Sequence, residues 1–423
     1  MNVKHELNAS AHDPTQTGLG HVHSLDEMDP ESQEQGPSRI RTVMATAERF
    51  AGPIFLLPAV LAILFLSVFP LLASLYVSLA RFKIAPGGFT LTFVGVANYK
   101  KLFFGTEQTQ FLGAFAPLTP AMWFVYGIVV AALAMFLARY LWNARVTVGG
   151  LTGRLLLVLG LGALAWVFTR SLWSGGRLGT LTITIVYVFA GIFFQYIIGL
   201  GLAMLTVQNI PGRRFFRVVF LLPMMITPVG VAYMFRMLTD TSKGPFTPIW
   251  QAMGLTDFSW VNNAWGARTA ILIADVWQWT PFMFVVLLAA LESQPTEPME
   301  AATVDGANQW QIFQYIVWPG ILPVSMTLIL IRLIEAFKII DLPNVMTNGG
   351  PGTATQSLTY HAFINWRALD VGNSAAVAYM LLFLVTFFSM IFVITLQRFN
   401  FNIFVKRSID ISTSFDIKLK IIK

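Results

Sequence analysis

The chain has 423 residues, of which 56% are hydrophobic and 12% charged, and its mean hydropathy is +0.65. Soluble domains carry roughly 25% charged residues, so this composition excludes an ordinary water-soluble protein and points to a bilayer as solvent. The absence of Cys excludes disulfides, thiol nucleophiles and Cys-ligated metals, and the net charge of +7 reads as a membrane-topology signal rather than a nucleic-acid one.

Residues 1–50 are polar and rich in Asp, Glu, Gln, Ser and His. They hold too little apolar area to fold alone and are expected to form a disordered cytosolic tail. His21 and His23 sit at a spacing compatible with weak metal binding, but a solvated tail is the simpler reading. The first apolar run begins at Pro53. It lies too far from the N-terminus for a cleaved leader and is long enough to span.

Spanning a bilayer takes about 20 apolar residues. Runs of that length predict spans near 53–80, 118–139, 152–170, 180–206, 216–238, 269–291, 319–340 and 375–397. This divides the chain into a first span with its outer loop (51–117), a hairpin of two spans (118–177), a larger helical region (178–400) and a C-terminal tail (401–423). With both termini in the cytosol, the larger share of Lys and Arg falls inside, including Arg213, Arg214, Arg217 and the basic C-terminal tail. Arg236, Asp275, Arg332 and Glu335 fall within spans, where a charge costs at least about 2.5–3.5 kcal/mol at a helix centre. Arg332 and Glu335 are three residues apart and are expected to pair on one helix face. The other reading of these charges is a polar lining or an ion path.

One cytosolic segment breaks the charge rule. Residues 292–318 contain no Lys or Arg but hold Glu292, Glu297, Glu300 and Asp305. Pro298 suits a first helical turn, Met299-Glu300-Ala301-Ala302 favours helix, and Gly306 supplies a break. Trp310, Phe313 and Ile316 then recur at a helical interval, and Pro319 and Pro323 mark re-entry to the membrane. The expected form is a short helix, a glycine joint and a second, amphipathic helix.

Glu300-Ala301-Ala302, Asp305-Gly306-Ala307, Ile316, Pro319 and Pro323 resemble the EAA loop of ABC importer permeases. A second block, Gly349-Gly350-Pro351 followed by Thr355, Leu358 and Tyr360, is similar to the outer loop of the carbohydrate-permease branch. Taken alone it is turn chemistry. The preceding Phe337–Asp341 segment and the Phe93–Tyr99 segment fit the same branch. The resemblance covers roughly residues 50–100 and 178–400. The hairpin at 118–177 and the long N-terminal tail depart from the pattern.

The resemblance implies an all-α, polytopic bundle with a type I importer core of six helices plus the inserted hairpin. It implies a permease forming half of a pore in a bacterial inner membrane, with a second, distinct permease, two cytosolic ATPases and an extracytoplasmic sugar-binding protein. The loop at 292–319 would dock on the ATPase through Glu300, Ala301, Ala302, Asp305, Gly306, Ala307 and Pro319. Gly349, Gly350, Pro351 and Tyr360 would belong to an outer gate. Sugar sites favour aromatic faces edged by polar groups, and Asp275, Trp277, Gln278 and Trp279, with Glu335 and Phe337, are candidate lining residues. Trp277 and Trp279 do not share a helical face, and aromatics at lipid headgroups are the competing reading. ATP and Mg would sit on the partner, since the chain has no Gly-Lys dipeptide for a phosphate-binding P-loop. The chain itself is expected to be non-catalytic, with no cofactor of its own. The rival readings are an ion-coupled secondary transporter, motivated by the intramembrane charges, and a membrane-embedded enzyme.

Overall fold

The computed structural model describes residues 55–117, 119–142, 148–172, 177–208, 211–254 and 259–421. The expected tail at 1–50, with His21 and His23, lies outside them. The chain divides into two units, Met1–Pro70 and Leu71–Lys423. All sites considered below belong to the second.

Long apolar helices dominate because a bilayer offers no water to satisfy backbone groups. Among the described residues these are α1 (Phe55–Ser78), then, beyond β1 (Ala80–Ala85), β2 (Gly88–Phe93), α2 (Ala97–Phe104) and α3 (Gln108–Phe111), the pair α4 (Pro120–Trp142) and α5 (Val148–Leu172). The helix α6 (Thr180–Val207) follows, then α7 (Arg213–Met225), α8 (Pro228–Leu238) and the short α9 (Thr247–Ala252). The last group is α10 (Ala264–Glu292), α11 (Glu297–Val304), α12 (Gln309–Ala336), α13 (Asp341–Thr347), α14 (Leu358–Arg367) and α15 (Val371–Ile421). The apolar part of α15 ends at Leu396, and its helical backbone continues through most of the expected C-terminal tail.

Seven of the eight expected spans are matched by a helix of membrane-crossing length. The eighth, over 216–238, is matched by a bent pair rather than by one helix. It is two helices, α7 and α8, meeting at 96°. The local chemistry explains the bend. Pro223 and Pro228 both lack an N–H, and a residue before proline avoids the helical region. Ile226 and Thr227 are accordingly extended, and the Thr227 hydroxyl caps α8 by accepting from the Gly230 amide. The helix expected at 319–340 also starts earlier, at Gln309. A π-turn at Phe313–Val317 absorbs the insertion of Pro319, so loop helix and span are one element.

The core lies between α6, α10 and α12. Helices α6 and α10 meet closely because Gly199 faces Met283 and Phe284, and a Cβ there would stand 2.7 Å from the Met283 Cβ. Tyr196 on α6 donates to Ser325 on α12 at 2.8 Å. By contrast α4 and α5 bury almost nothing and present apolar side chains outward, as helices in contact with lipid do.

Outside the spans, Glu107 forms a clamp. His361 and Asn365 on α14 and Asn373 on α15 hydrogen-bond its carboxylate, with His361 Nε2 at 3.2 Å. The other His361 nitrogen meets the Thr180 hydroxyl at the start of α6, at 3.3 Å. Burial pushes the Glu107 carboxyl up, but the hydrogen bonds from His361 and Asn373 and the His361 charge outweigh it, leaving it below the usual value.

Two predictions follow from this packing. Gly199→Val overpacks the α6–α10 contact and is expected to cost roughly 1–3 kcal/mol, read as a lower thermal midpoint in detergent. Because the Glu107 value is depressed, its stabilisation is present above the ordinary carboxylate range and lost as pH falls through the lower folded value. The melting gap between the parent and Glu107→Gln should therefore be open at neutral pH and close on acidification below the ordinary carboxylate range. A gap that stays constant on acidification would assign the clamp no charge contribution.

Candidate functional site

Three helices place polar side chains at one point inside the bundle. Gln195 comes from α6, Asp275 from α10 and Arg332 from α12. Arg332 Nη2 donates to both Asp275 oxygens at 2.9 Å, and its Nε donates to Gln195 Oε1, also at 2.9 Å. Gln195 Nε2 closes the triangle on Asp275 Oδ2 at 2.8 Å. The Arg332 guanidinium also lies 4.7 Å from the Trp279 ring centre. Arg332 is 2% exposed and Asp275 5%. An ion pair this deep needs hydrogen bonds to offset desolvation, and here both Asp275 oxygens and both polar atoms of the Gln195 amide are bonded within the triad.

This corrects the expected pairing of Arg332 with Glu335. Arg332 reaches across to Asp275, where a desolvated carboxylate has greater need of it, and Glu335 pairs instead with Lys338 at 2.8 Å. Asp275, Arg332 and Glu335 are thus each neutralised in a pair, while Arg236 donates to the Val345 carbonyl at 3.1 Å. Gln195 carried no signal in the sequence, because a lone Gln in an apolar run resembles any tolerated polar residue.

The remaining candidate lining residues separate. Gln278 points to the bend and donates to the Ile226 carbonyl at 3.4 Å. A cavity of about 120 Å³ beside the triad is lined by Asp275, Gln278, Trp279, Arg332, Glu335 and Pro228 among others. Trp277 faces away from it, with its ring against Phe235 in an apolar groove. Phe337 is fully buried and stacks on Phe388, so it belongs to the core rather than to this cavity. In the segment that follows α13, Gly349 takes a left-handed φ of 81°. A side chain there would meet Gln356 and Tyr360. Tyr360 itself donates to Asn348 Oδ1 at 2.9 Å, which ties the turn to α14. Gly350 and Pro351 continue this turn.

The loop between α10 and α12 is rigid without being packed. Helix α11 begins with Pro298 in its first turn and carries Glu297 and Glu300 there, where the helix dipole favours acid. It ends in a paired-carbonyl stop: Gly306 N–H donates to Thr303 O at 3.1 Å, and Ala307 N–H to Ala302 O at 2.9 Å. Gly306 has a φ of 83°, which is why glycine stands there. Asn308 and Gln311 then form a reciprocal capping box that starts α12. No residue of α11 is buried. Glu300, Ala301, Asp305 and Gly306 are exposed, with Ala302 and Ala307 partly so. The expected apolar face of Trp310, Phe313 and Ile316 is covered only in part: Phe313 and Ile316 are half-buried, whereas Trp310 is 68% exposed and stacks on Phe313. Behind the loop, Arg217 on α7 pairs with Glu292 and donates to the Thr206 carbonyl. Gln294 donates to the Val317 carbonyl at 3.0 Å, and Gly320 leaves room for it.

Comparison with known proteins places this arrangement. Residues 195–403 match the family described as binding-protein-dependent transport system inner membrane component. The trehalose/maltose transport system permease protein MalF of Thermococcus litoralis is 32% identical over 210 residues, 50% of this chain and 71% of that protein. This chain belongs to that family.

The sn-glycerol-3-phosphate transport system permease protein UgpA of Escherichia coli O157:H7 is 31% identical over 207 residues, 48% of this chain and 68% of its own length. A bacterial ABC transporter structure, involved in import of the polysaccharide alginate, aligns over 66% of this chain and 96% of its own at 17% identity and a TM-score of 0.49. The chain is a multi-pass inner-membrane component of a binding-protein-dependent transport system. The matched region contains the Gln195–Asp275–Arg332 triad and the whole α10–α12 loop, and it begins after the α4–α5 hairpin.

Removing one partner of the triad strands a buried charge. Asp275→Leu and Arg332→Met are each expected to cost about 3–5 kcal/mol, read as loss of folded permease from the membrane. The double variant Asp275→Leu with Arg332→Met should recover part of that loss. Additive losses in the double variant would show that the two side chains do not act as a pair.

Proposed function

We propose that this permease forms half of the translocation path of an ATP-driven importer of carbohydrates or similarly hydroxylated small molecules. Its coupling element is α11. What carries the reading is a helix with stiff local ends and no buried residue, held between two long helices that meet at a buried ion pair. A surface that is rigid yet unpacked is suited to an external partner, and the lack of Lys or Arg around it suits a complementary basic cleft. The partners are two cytosolic ATPases that hold ATP and Mg, a second permease and an extracytoplasmic binding protein. The chain acts without catalytic groups of its own, with both termini in the cytosol.

The carbohydrate assignment rests on the names of the relatives. Trehalose, maltose and glycerol phosphate share hydroxyl-rich chemistry, and the cavity beside Trp279, Gln278 and Glu335 offers an indole and polar groups at one place. Glu300, Ala301, Ala302, Asp305, Gly306, Ala307 and Pro319 are the docking residues in this reading. Gly349, Gly350, Pro351 and Tyr360 form a firm outer segment beside the path.

The test uses membranes containing the complete transporter. Glu300→Ala removes the exposed carboxylate, and Gly306→Val forces a branched side chain onto a left-handed backbone. Both variants should insert normally while ATP-dependent uptake of the sugar held by the binding protein falls to background. The ATPase should wash off more readily in detergent. Normal uptake by both variants would remove the coupling role from α11.

A further inference from the structure

The segment between α1 and α2 is not used by the transport reading, and its pattern is unusual for an exposed loop. Strands β1 and β2 form an antiparallel hairpin with Ala80 opposite Phe93, Phe82 opposite Leu91 and Ile84 opposite Phe89. Side chains alternate across a strand, so these six residues share one face. The other face carries Arg81, Lys83, Thr90 and Thr92. The turn is Pro86-Gly87, with Gly87 at a φ of 90°, as a tight turn of this kind requires. No acidic residue occurs between Ala80 and Phe93.

The base of the hairpin is fixed. Asn98 donates to the Ser78 and Ala80 carbonyls at 2.8 and 2.9 Å, and Gly372 at the start of α15 leaves room for the Ala80 carbonyl. Toward its tip and its far edge the apolar face is open: Ile84, Phe89 and Phe93 are each about two-thirds exposed (66%, 64% and 65%), Leu91 is 37% exposed and Phe82 is partly buried. A patch of this kind on a protein surface marks a contact site.

We infer that this face rests on the bilayer surface at the C-terminal end of α1, with the aromatic and aliphatic side chains among acyl chains and Arg81 and Lys83 toward lipid phosphates. Two observations select lipid over a protein partner. First, the patch is continuous with the outward-facing end of the span. Tyr76, in the last turn of α1, stacks on Phe93 with ring centres 6.4 Å apart, and Leu72 and Tyr76 are themselves more than half exposed or near it (58% and 50%). A single residue, Leu79, separates the end of α1 from β1, so the hairpin emerges at the level where hydrocarbon gives way to headgroups. Second, the face opposite the apolar one is cationic, the arrangement of an interfacial amphipathic element that meets anionic headgroups.

The chain has no Cys, so single cysteines can be introduced without background. Lys83→Cys, Phe89→Cys, Thr90→Cys and Leu91→Cys would each carry a nitroxide label. The full chain, purified with the subunits that accompany it, would be reconstituted in phosphatidylethanolamine–phosphatidylglycerol vesicles. Collision with oxygen, which concentrates in hydrocarbon, should exceed collision with an aqueous nickel chelate at 89 and 91. The order should reverse at 83 and 90. Nickel excess at all four positions would place the hairpin in water and overturn the inference. Exclusion of both reagents at 89 and 91 would assign the face to a protein partner and overturn it equally.

Discussion

Arg332 cannot leave Asp275 without stranding a guanidinium among apolar helices, and Asp275 cannot leave Arg332 without stranding a carboxylate. In water either group could find new partners. Inside a bundle within a bilayer it finds none, so the pair and its third member Gln195 pin α6, α10 and α12 at one depth and one rotation. The small residues nearby agree with this. Gly191 stands beside Asp275, where a Cβ would lie 3.0 Å from Oδ2, and Gly199 lets α6 close on α10 two turns further along. An apolar triad of equal volume would hold the helices together as well, but many rotations would then be nearly equal in energy. The ionic version specifies one.

That pinning point bears on how a displacement of the α10–α12 loop would travel. Helix α11 hangs between the end of α10 and the start of α12, and these two helices meet again at the triad. Stiff ends at Gly306 and Asn308 mean that displacement of α11 is not absorbed by local unwinding. The bend between α7 and α8 joins the same system, because Gln278 on α10 supplies a donor to the Ile226 carbonyl that the break left free. Arg217 ties the other end of α7 to Glu292, next to the loop. A rigid displacement of α10 therefore carries the bend with it. Bistable interfaces of this sort are the physical substrate of switching, and both bonds between α7–α8 and α10 are single and exchangeable.

The sequence was most informative where one physical rule acts on many residues. Apolar run length located seven helices, and the Pro298–Gly306–Pro319 spacing located the loop, because capping, dipole and backbone constraints are local. It failed where the deciding partner is distant. The Arg332–Glu335 pairing followed from helical spacing, yet Asp275, 57 residues away, wins because its burial makes pairing more urgent. The bend at Ile226 was masked by the continuous apolarity of 216–238, although Pro223 and Pro228 were the available signal. Gln195 and the Glu107–His361–Asn373 clamp left no local trace, since each is assembled from segments more than 75 residues apart.

The distribution of polar bonding along the bundle is itself asymmetric. Around Glu107, the starts of α6, α14 and α15 are cross-linked through His361, Thr180, Asn365 and Asn373, and the Leu358 amide adds a bond to Thr184. The triad then locks the middle. At the loop, by contrast, α11 is held by its own caps, and the long-range ties are Arg217 to Glu292 and Gln294 to Val317. A helix bundle stiffened at one end and the centre, and lightly tied at the other, has its softest displacement at the lightly tied end. Under the proposed coupling, a force applied there would meet the least resistance and act with the triad as its fulcrum. On the proposed reading, the exposure of α11 and the burial of Arg332 are two halves of one arrangement: the first would accept a load, and the second would keep the helices from slipping past one another while they transmit it.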